Sequence, residues 1–198
     1  MIKLREFLND FISLFYPRCC VGCGKALVKG EEYLCLSCLF EIPYAGISEQ
    51  KWNFLEERLS GRIRLQFATA YLFFEKEGIT QQILHELKYR GNLELGMKFG
   101  RMFGKELMKG RFKSVDVLVP VPLHPNKLKI RGYNQSEVIC RGMAEVMKIP
   151  VMNNLMERIV ENSTQTKKGA EERWENVQGI FRLKNEELVK GMHLLLVD

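Results

Sequence analysis

The sequence predicts an α/β protein with a doubly wound, mostly parallel sheet, preceded by a small cysteine-rich module. Strand-like and helix-like patterns alternate from residue 67 to the last residue, as expected for such a sheet. Residues 115–121 form a nearly continuous apolar run, which is typical of a parallel strand buried on both faces. Apolar residues make up 46% of the chain and charged residues 27%, a composition that supports a core and excludes a disordered or fibrous protein.

The first segment, residues 1–16, predicts a short amphipathic helix. Leu4, Leu8, Phe11 and Phe15 recur at helical spacing, and Pro17 ends the pattern. Polar residues interrupt the apolar part of this segment, so it does not read as a signal peptide. No stretch of the chain approaches the ~20 apolar residues of a membrane span. We therefore expect a cytoplasmic protein.

The remainder divides into a cysteine- and glycine-rich module over residues 17–45 and an α/β domain over residues 46–198. Apolar periodicity and the positions of Gly and Pro predict the element boundaries. We expect helices over 80–89, 93–109 and 135–147, a loop after residue 121, a mobile polar stretch over 160–172, and strands over 67–74, 115–121, 151–159, 179–183 and 193–197.

The cysteines predict a structural zinc site. Five of the six lie between residues 19 and 38, and four of them form two C-x2-C pairs, a spacing that presents four thiolates tetrahedrally. Gly24 suits a left-handed knuckle position. Two disulfides and an iron–sulfur cluster are the alternatives, Cys19 can replace Cys20 as a ligand, and Cys140 is expected in the core. The predicted ligands are Cys20, Cys23, Cys35 and Cys38.

The loop after the buried run predicts an anion-binding site. Ligands bind at the carboxyl ends of strands in open α/β sheets, and here three cations follow within five residues: Lys127, Lys129 and Arg131. The helix start near Asn134 adds a positive dipole end, and the net charge of +6 suits an anionic partner. The alternative is a solvated basic loop in which Asn134 or Ser136 only caps a helix.

Several segments resemble those of the ComF family of competence proteins, which combine a zinc ribbon with a type I phosphoribosyltransferase-like domain. The resemblance runs essentially end to end. It rests on the four-Cys ribbon and on HELKYRGNLELG at 85–96, PVPLHPNKLKIRGYNQSE at 120–137, TQTKKGAEERWENVQGIF at 164–181 and LLLVD at 194–198.

The resemblance implies that Asp198 is the first acid of an acidic pair that binds the ribose of phosphoribosyl pyrophosphate, and hence a catalytic residue. In similar proteins a second acid and a Thr-Thr-Gly-type loop follow. Neither is among these 198 residues, so the resemblance predicts a phosphoribosyltransferase-like domain that is incomplete at its C-terminus. In that chemistry Mg²⁺ and Lys or Arg side chains stabilise the pyrophosphate leaving group, and carboxylates stabilise the sugar.

Further site residues follow from the same resemblance. Residues 119–123 would form the pyrophosphate-side loop, residues 164–168 a flexible lid, and a matching segment includes Arg173, Trp174 and Asn176. Core packing of Trp174 and a surface ion pair of Arg173 are the alternatives there. The implied phosphoribosyl and pyrophosphate ligands are Pro122, Leu123, Arg131, Asn134 and Gln135.

The function implied by the family is the handling of incoming single-stranded DNA in natural transformation, with other competence or DNA-processing proteins as further partners. Tyr44, Trp52 or Tyr133 can stack on bases. The alternatives are a phosphoribosyltransferase with an unidentified acceptor base and a zinc-stapled interaction module without catalysis. The expected DNA-phosphate contacts are Lys127, Lys129, Arg131, Lys167 and Lys168.

Overall fold

Residues 15–161 and 179–198 are described by a computed structural model of the protein. Within these ranges the chain forms two compact units. The first is built from residues 15–46 and Ala70–Glu86, and the second from Ile47–Thr69 and the described residues from Leu87 onward. The predicted N-terminal helix lies almost entirely outside the described residues. The predicted division into an N-terminal helix, a cysteine-rich module and an α/β domain, with boundaries after residues 16 and 45, stays a prediction.

The first unit holds the cysteine-rich module and a short helix, α1 (Leu36–Phe40). An antiparallel bridge between Cys19 and Ala26 closes its first loop. The backbone N–H of Cys20 donates to the carbonyl of Lys25 at 2.7 Å across the same loop. These bonds give the module an ordered backbone, and Leu34 and Ile42 are buried in it.

The predicted strand over residues 67–74 is wrong. Only a single antiparallel bridge forms there, between Tyr44 and Leu72. Two hydrogen bonds flank it: Ala45 N–H donates to Tyr71 O at 2.9 Å, and Phe73 N–H donates to Pro43 O at 2.8 Å. Because Pro43 has no N–H to return, the ladder cannot extend in that direction.

The predicted helices over 80–89, 93–109 and 135–147 are confirmed within one or two residues. Polar side chains define two of their starts, since Asn92 and Asn134 accept hydrogen bonds from backbone N–H groups of the first turn. The helices after α1 are α2 (Phe54–Leu59), α3 (Ile79–Tyr89), α4 (Leu93–Leu107), α5 (Pro125–Arg131) and α6 (Gln135–Met147), with short 3-10 helices at Arg111–Ser114 and Glu187–Val189.

Two strands of the second unit form a parallel pair, β1 (Val117–Pro120) and β4 (Leu194–Val197). Their register joins Val117 to Leu194 and Pro120 to Val197. On the other side of β1, Leu118 forms a parallel bridge with Val151. The strands predicted from the apolar runs at 115–121 and 193–197 are therefore confirmed, and they pair in parallel as expected.

A second pair, β2 (Met156–Arg158) and β3 (Phe181–Leu183), is antiparallel. The strand predicted over 151–159 is therefore divided into the Val151 bridge and β2. A turn at Asn153 and Asn154 separates the two parts, in keeping with the preference of Asn for turns.

Strand β1 is buried on both faces, and alternate residues contribute to different clusters. Leu118 packs with Cys140, Met143 and Val197 in the larger cluster. Val117 and Val119 point the other way, toward a smaller cluster with Leu155. This two-sided burial explains why the run is apolar at every position.

Helices α4 and α6 approach each other closely through glycine. A Cβ atom placed on Gly100 would lie 2.2 Å from the carbonyl oxygen of Ile139, and one on Gly142 would lie 2.3 Å from the carbonyl oxygen of Met97. Any side chain at Gly100 or Gly142 would therefore strike the backbone of the facing helix. We call this contact the glycine seam.

The α/β class is confirmed in its coarse form, as a mixed helix and strand protein with a small parallel sheet. Within the described ranges the parallel ladder contains two strands and one bridge. The doubly wound arrangement and the phosphoribosyltransferase fold stay predictions.

Candidate functional site

The structure brings the four predicted zinc ligands together. Their sulfur atoms all lie within 4.8 Å of one another, and the Sγ atoms of Cys23 and Cys35 are 3.7 Å apart. Four sulfurs bound tetrahedrally at about 2.3 Å from zinc would lie about 3.8 Å from each other. The cluster is therefore of the right size to hold a metal ion such as zinc. Its members are Cys20, Cys23, Cys35 and Cys38.

Backbone amides surround these sulfurs. The N–H of Cys35 donates to Cys20 Sγ at 3.3 Å, and the N–H of Cys38 donates to Cys35 Sγ at 3.5 Å. Burial alone would raise the pKa of Cys20, but hydrogen bonds from backbone N–H groups outweigh it and lower this pKa to about 7. Gly24 has φ 73°, the left-handed conformation expected of it. The backbone hydrogen bonds thus favour the thiolate form of Cys20, whereas burial, together with the neighbouring sulfurs, raises the pKa of Cys38.

The two remaining cysteines lie elsewhere. Cys19 is exposed, and its Sγ is 3.5 Å from the carbonyl oxygen of Pro17. Cys140 is fully buried in the larger core cluster, as expected. All six cysteines of the chain are free, so the structure contains no counterpart of the disulfide alternative.

The loop expected after residue 121 contains helix α5, which was not predicted. His124 caps its start by accepting a hydrogen bond from Asn126 N–H, and Pro125 occupies the first turn. Gly132 ends it with φ 82°. The signals of Pro after the cap and Gly after the last turn were present in the sequence.

The helix separates the three predicted cations. Lys127 and Arg131 are four residues apart and lie within about 40° of each other around the axis, whereas Lys129 lies about 160° away from Lys127. Lys127 and Arg131 are half-buried, and Lys129 is exposed. The structure therefore groups Lys127 with Arg131 and does not group Lys129 with them.

Three elements meet at Val121. Its N–H donates to Val197 O at 2.8 Å, which joins the carboxyl ends of β1 and β4. Its carbonyl accepts a hydrogen bond of 2.9 Å from Asn134 Nδ2, which joins these ends to the start of α6. Asp198, which is exposed, directly follows Val197. One edge of the sheet therefore contains Asp198, the carboxyl ends of β1 and β4, and the N-terminus of α6. We call it the Val121 edge.

Some predicted ligand residues have internal partners at this edge. Asn134 is buried, and its Oδ1 accepts from Ser136 N–H at 3.0 Å. The guanidinium of Arg131 donates to the side-chain oxygen of Gln135 and lies 5.8 Å from the centre of the Tyr89 ring. Asn134 thus acts as a positioning residue, while Arg131 and Gln135 form a polar pair.

A cleft of about 380 Å³ lies beside the predicted pyrophosphate loop. Pro122 and Leu123 line one side of it. Cationic side chains of the β2–β3 pair and its following residue line the other. These cations were not predicted, because nothing in their spacing along the sequence indicates that two short strands place them beside residue 122. They are Arg158, Arg182 and Lys184.

One carboxylate balances part of this charge. Glu157 forms an ion pair with Arg182, and Lys184 Nζ lies 3.3 Å from Glu157 Oε2. The hydrogen bond from Arg182 is the main reason that the pKa of Glu157 falls below its ordinary value. The cleft therefore contains more positive than negative charge near neutral pH.

The remaining predicted site residues have different placements. Tyr44 is partly exposed and packs edge-to-face against Tyr71, with ring centres 5.4 Å apart. The hydroxyl of Tyr133 donates to the carbonyl of Leu87. The predicted lid over residues 164–168 and most of the predicted mobile stretch over 160–172 lie outside the described residues. Six predicted site residues also lie outside the described residues: Thr164, Lys167, Lys168, Arg173, Trp174 and Asn176.

Comparison with known proteins finds relatives with competence and DNA-utilization names. The chain is 32% identical to Competence protein F of Haemophilus influenzae over 187 residues, covering 87% of this chain and 80% of that protein. It is 30% identical to Competence protein ComFC of Bacillus subtilis over 118 residues, covering 60% of this chain and 46% of that protein. It is 28% identical to DNA utilization protein YhgH of Salmonella typhimurium over 120 residues, covering 59% of this chain and 52% of that protein.

The last two matches span about half the length of those relatives. No family model matches the chain, and no solved structure matches it. Among the helices that the structure describes, none has both the length and the apolar character needed to cross a bilayer. The Haemophilus match extends over most of both proteins and agrees with the clustered cysteines. The resemblance predicted from the sequence is thereby confirmed, and the chain belongs to the ComF family of competence proteins.

Proposed function

We propose that this protein is a cytoplasmic factor that binds single-stranded DNA in natural transformation, with the Val121 edge as its phosphate-binding site. The meeting of β1, β4 and the N-terminus of α6 at Val121 is the observation that carries the proposal. Open α/β sheets bind ligands outside the carboxyl ends of their strands, and a helix N-terminus favours anions.

The charges around this edge support a phosphate ligand. Lys127 and Arg131 occupy one side of α5, and the adjacent cleft adds three further cations. Ser136 supplies a buried hydroxyl in the first turn of α6 that has no hydrogen-bond partner among the described residues. Relatives named for competence and DNA utilization agree with DNA as the partner.

The cysteine cluster has a structural role in this proposal. Four thiolates close the coordination sphere of zinc and leave no position for a substrate. The ion would hold the two knuckles of the module together. Cys20, Cys23, Cys35 and Cys38 are the ligands that we assign to it.

A second candidate function, phosphoribosyl transfer on a phosphoribosyltransferase-like scaffold, is favoured by the position of Asp198. Displacement of pyrophosphate from phosphoribosyl pyrophosphate develops positive charge on the sugar and negative charge on the leaving group. Asp198 carries the charge that suits the first, and Lys127 and Arg131 carry the charge that suits the second. Mg²⁺ bound with this substrate would neutralise part of the pyrophosphate charge.

The DNA proposal can be tested by fluorescence anisotropy with a labelled oligo-deoxythymidine strand over a series of salt concentrations. Replacing Lys127 or Arg131 with Ala should weaken binding several-fold and lower the slope of log affinity against log salt by about one. Lys129→Ala is the matched control on the far side of the same helix and should have a smaller effect. Equal affinity and equal slope for wild type, Lys127→Ala and Arg131→Ala would refute the proposal.

The second candidate function, phosphoribosyl transfer, is tested by a separate assay of pyrophosphate release. The full chain is incubated with phosphoribosyl pyrophosphate, Mg²⁺ and each of the common nucleobases, and pyrophosphate release is followed. Release that is lost in Asp198→Asn supports the enzyme. The absence of release with every base counts against transfer to these acceptors and leaves the DNA assay unaffected.

A further inference from the structure

A second and larger cleft, of about 680 Å³, lies within the unit formed by Ile47–Thr69 and the residues from Leu87 onward. It shares no lining residue with the cleft beside the pyrophosphate loop. Its volume is in the range of pockets that hold small organic ligands. Its apolar lining includes Trp52, Ile63, Leu65 and Phe67.

Trp52 is displayed in this cleft rather than packed into a core. Its side chain is 65% exposed, and its backbone has φ 53°, a conformation that is rare and costly for a large side chain. The next residue holds this geometry, because Asn53 accepts hydrogen bonds from Leu55 and Glu56 N–H and donates one of 2.8 Å to Ala68 O. An exposed indole on a fixed backbone is suited to stacking against a flat ring.

Glu56, the only carboxylate among the described residues that line the cleft, is neutralised internally. It is 3% exposed, and its Oε1 lies 2.9 Å from Arg111 Nη1 and 3.1 Å from the N–H of Ala68. Arg111 also donates to Gln50 O at 2.6 Å. The buried carboxylate therefore contributes little repulsion toward an anion in the cleft.

Two further cationic residues line the cleft. Lys51 and Arg64 are exposed, and within the described residues no ion pair joins either of them to a carboxylate. The guanidinium of Arg111 lies 4.1 Å from the centre of the Phe67 ring, so one wall of the cleft is a fixed cation stacked on an aromatic ring. Guanidinium planes and aromatic rings are both surfaces on which nucleobases stack.

We infer that this cleft binds a nucleotide. A flat base would pack against Trp52 and the apolar lining, and its phosphate would pair with Lys51 and Arg64. A free nucleoside monophosphate and one unit of a single DNA strand share this chemistry. The inference does not require the phosphate site at the Val121 edge, since the two clefts have different residues.

The test uses the full chain and isothermal titration with two probes, deoxyadenosine 5′-monophosphate and a short oligo-deoxyadenylate strand. Trp52→Gly removes the indole and suits the positive φ, so the variant should fold; Arg64→Glu reverses the phosphate charge. Each variant should weaken binding about tenfold or more. Lys113→Glu, a charge reversal at an exposed lysine outside the cleft lining, is the control and should have a smaller effect.

Loss of binding to both probes in Trp52→Gly and Arg64→Glu supports a cleft that accepts the free nucleotide. Loss for the strand alone supports a cleft that accepts a nucleotide only within DNA. If both variants bind both probes as the wild type does, or if the wild type binds neither, the inference is overturned. Loss for the free nucleotide alone supports a cleft that accepts a mononucleotide and not the strand. If strand binding depends on Arg131 and neither probe depends on Trp52 or Arg64, this inference is overturned and the proposed function stays intact.

Discussion

The side-chain amide of Asn134 donates a hydrogen bond of 2.9 Å to the carbonyl of Val121, and this bond ties the first turn of α6 to the end of β1. The same side chain caps α6 through its oxygen. One buried residue therefore determines both the start of the helix and its position relative to the strand. The Val121 edge depends on this double role.

Replacing Asn134 should separate these two contributions. Asn134→Ala removes the cap and leaves the Val121 carbonyl without its partner, so the free energy of unfolding should fall by about 2 kcal/mol or more. Asn134→Ser keeps a capping oxygen but cannot make the same amide hydrogen bond to Val121, and should lose about 1 kcal/mol. Urea unfolding measures both. A serine variant as stable as the wild type would show that the bond to Val121 contributes little.

The glycine seam predicts a graded response to alanine. At Gly100 the added methyl would meet the backbone carbonyl of Ile139, so Gly100→Ala should destabilise the protein by about 3 kcal/mol. At Gly96 the nearest atoms, at 2.8 Å, are side-chain methyl groups of Leu87 and Val138, which can move. Gly96→Ala should therefore cost less, and the higher helix propensity of Ala offsets part of the loss. Thermal or urea unfolding that ranks the two variants in the opposite order would contradict this.

The cysteine cluster predicts about one zinc ion per chain. Replacing Cys35 and Cys38 together with Ser should release the metal and accelerate amide hydrogen exchange in residues 17–45, because metal ligation holds the two knuckles of the module together. Cys19→Ser is the matched control and should keep the metal, since Cys19 lies outside the cluster. Metal content is measured by elemental analysis of the purified protein. Full zinc occupancy in the double variant would rule out the assigned ligands.

Thiol chemistry should distinguish Cys19 from Cys140. Burial, assisted by the nearby charge of Glu137, raises the pKa of Cys140 to about 12, so at pH 8 almost none of it is the reactive thiolate. With zinc bound, an aromatic disulfide reagent should modify about one thiol rapidly, and Cys19→Ser should abolish this fast phase. Cys140 should react only after denaturation. Rapid modification of Cys140 in the folded protein would show that the core opens easily.

The apolar runs and helix periodicities predicted most elements of the second unit, because they determine which face is buried. The run at 115–121 and the pattern at 135–147 became β1 and α6, packed together in one cluster. Residues 67–74 show the limit of this approach. Their composition favours a strand, but a strand also needs a partner with matching donors, and Pro43 cannot provide them.

The candidate sites differ in how much of each could be predicted from the sequence, for a similar reason. The four cysteines were found from spacing alone, since metal geometry constrains spacing directly. The three cations of α5 appeared as one group in the sequence, but helical geometry groups only Lys127 and Arg131. The cations at 158, 182 and 184 and the cleft beside Trp52 depend on tertiary placement, for which the sequence has no periodic signal.

The glycine seam also limits how the Val121 edge can respond to a ligand. With Gly100 and Gly142 in backbone contact with the opposite helix, α6 cannot slide or tilt without carrying α4 along. The helix whose N-terminus lies at the Val121 edge is therefore fixed relative to α4. If the edge binds phosphate as proposed, we expect any closure around it to come from α5, which ends at Gly132, or from the β2–β3 pair, and not from α6.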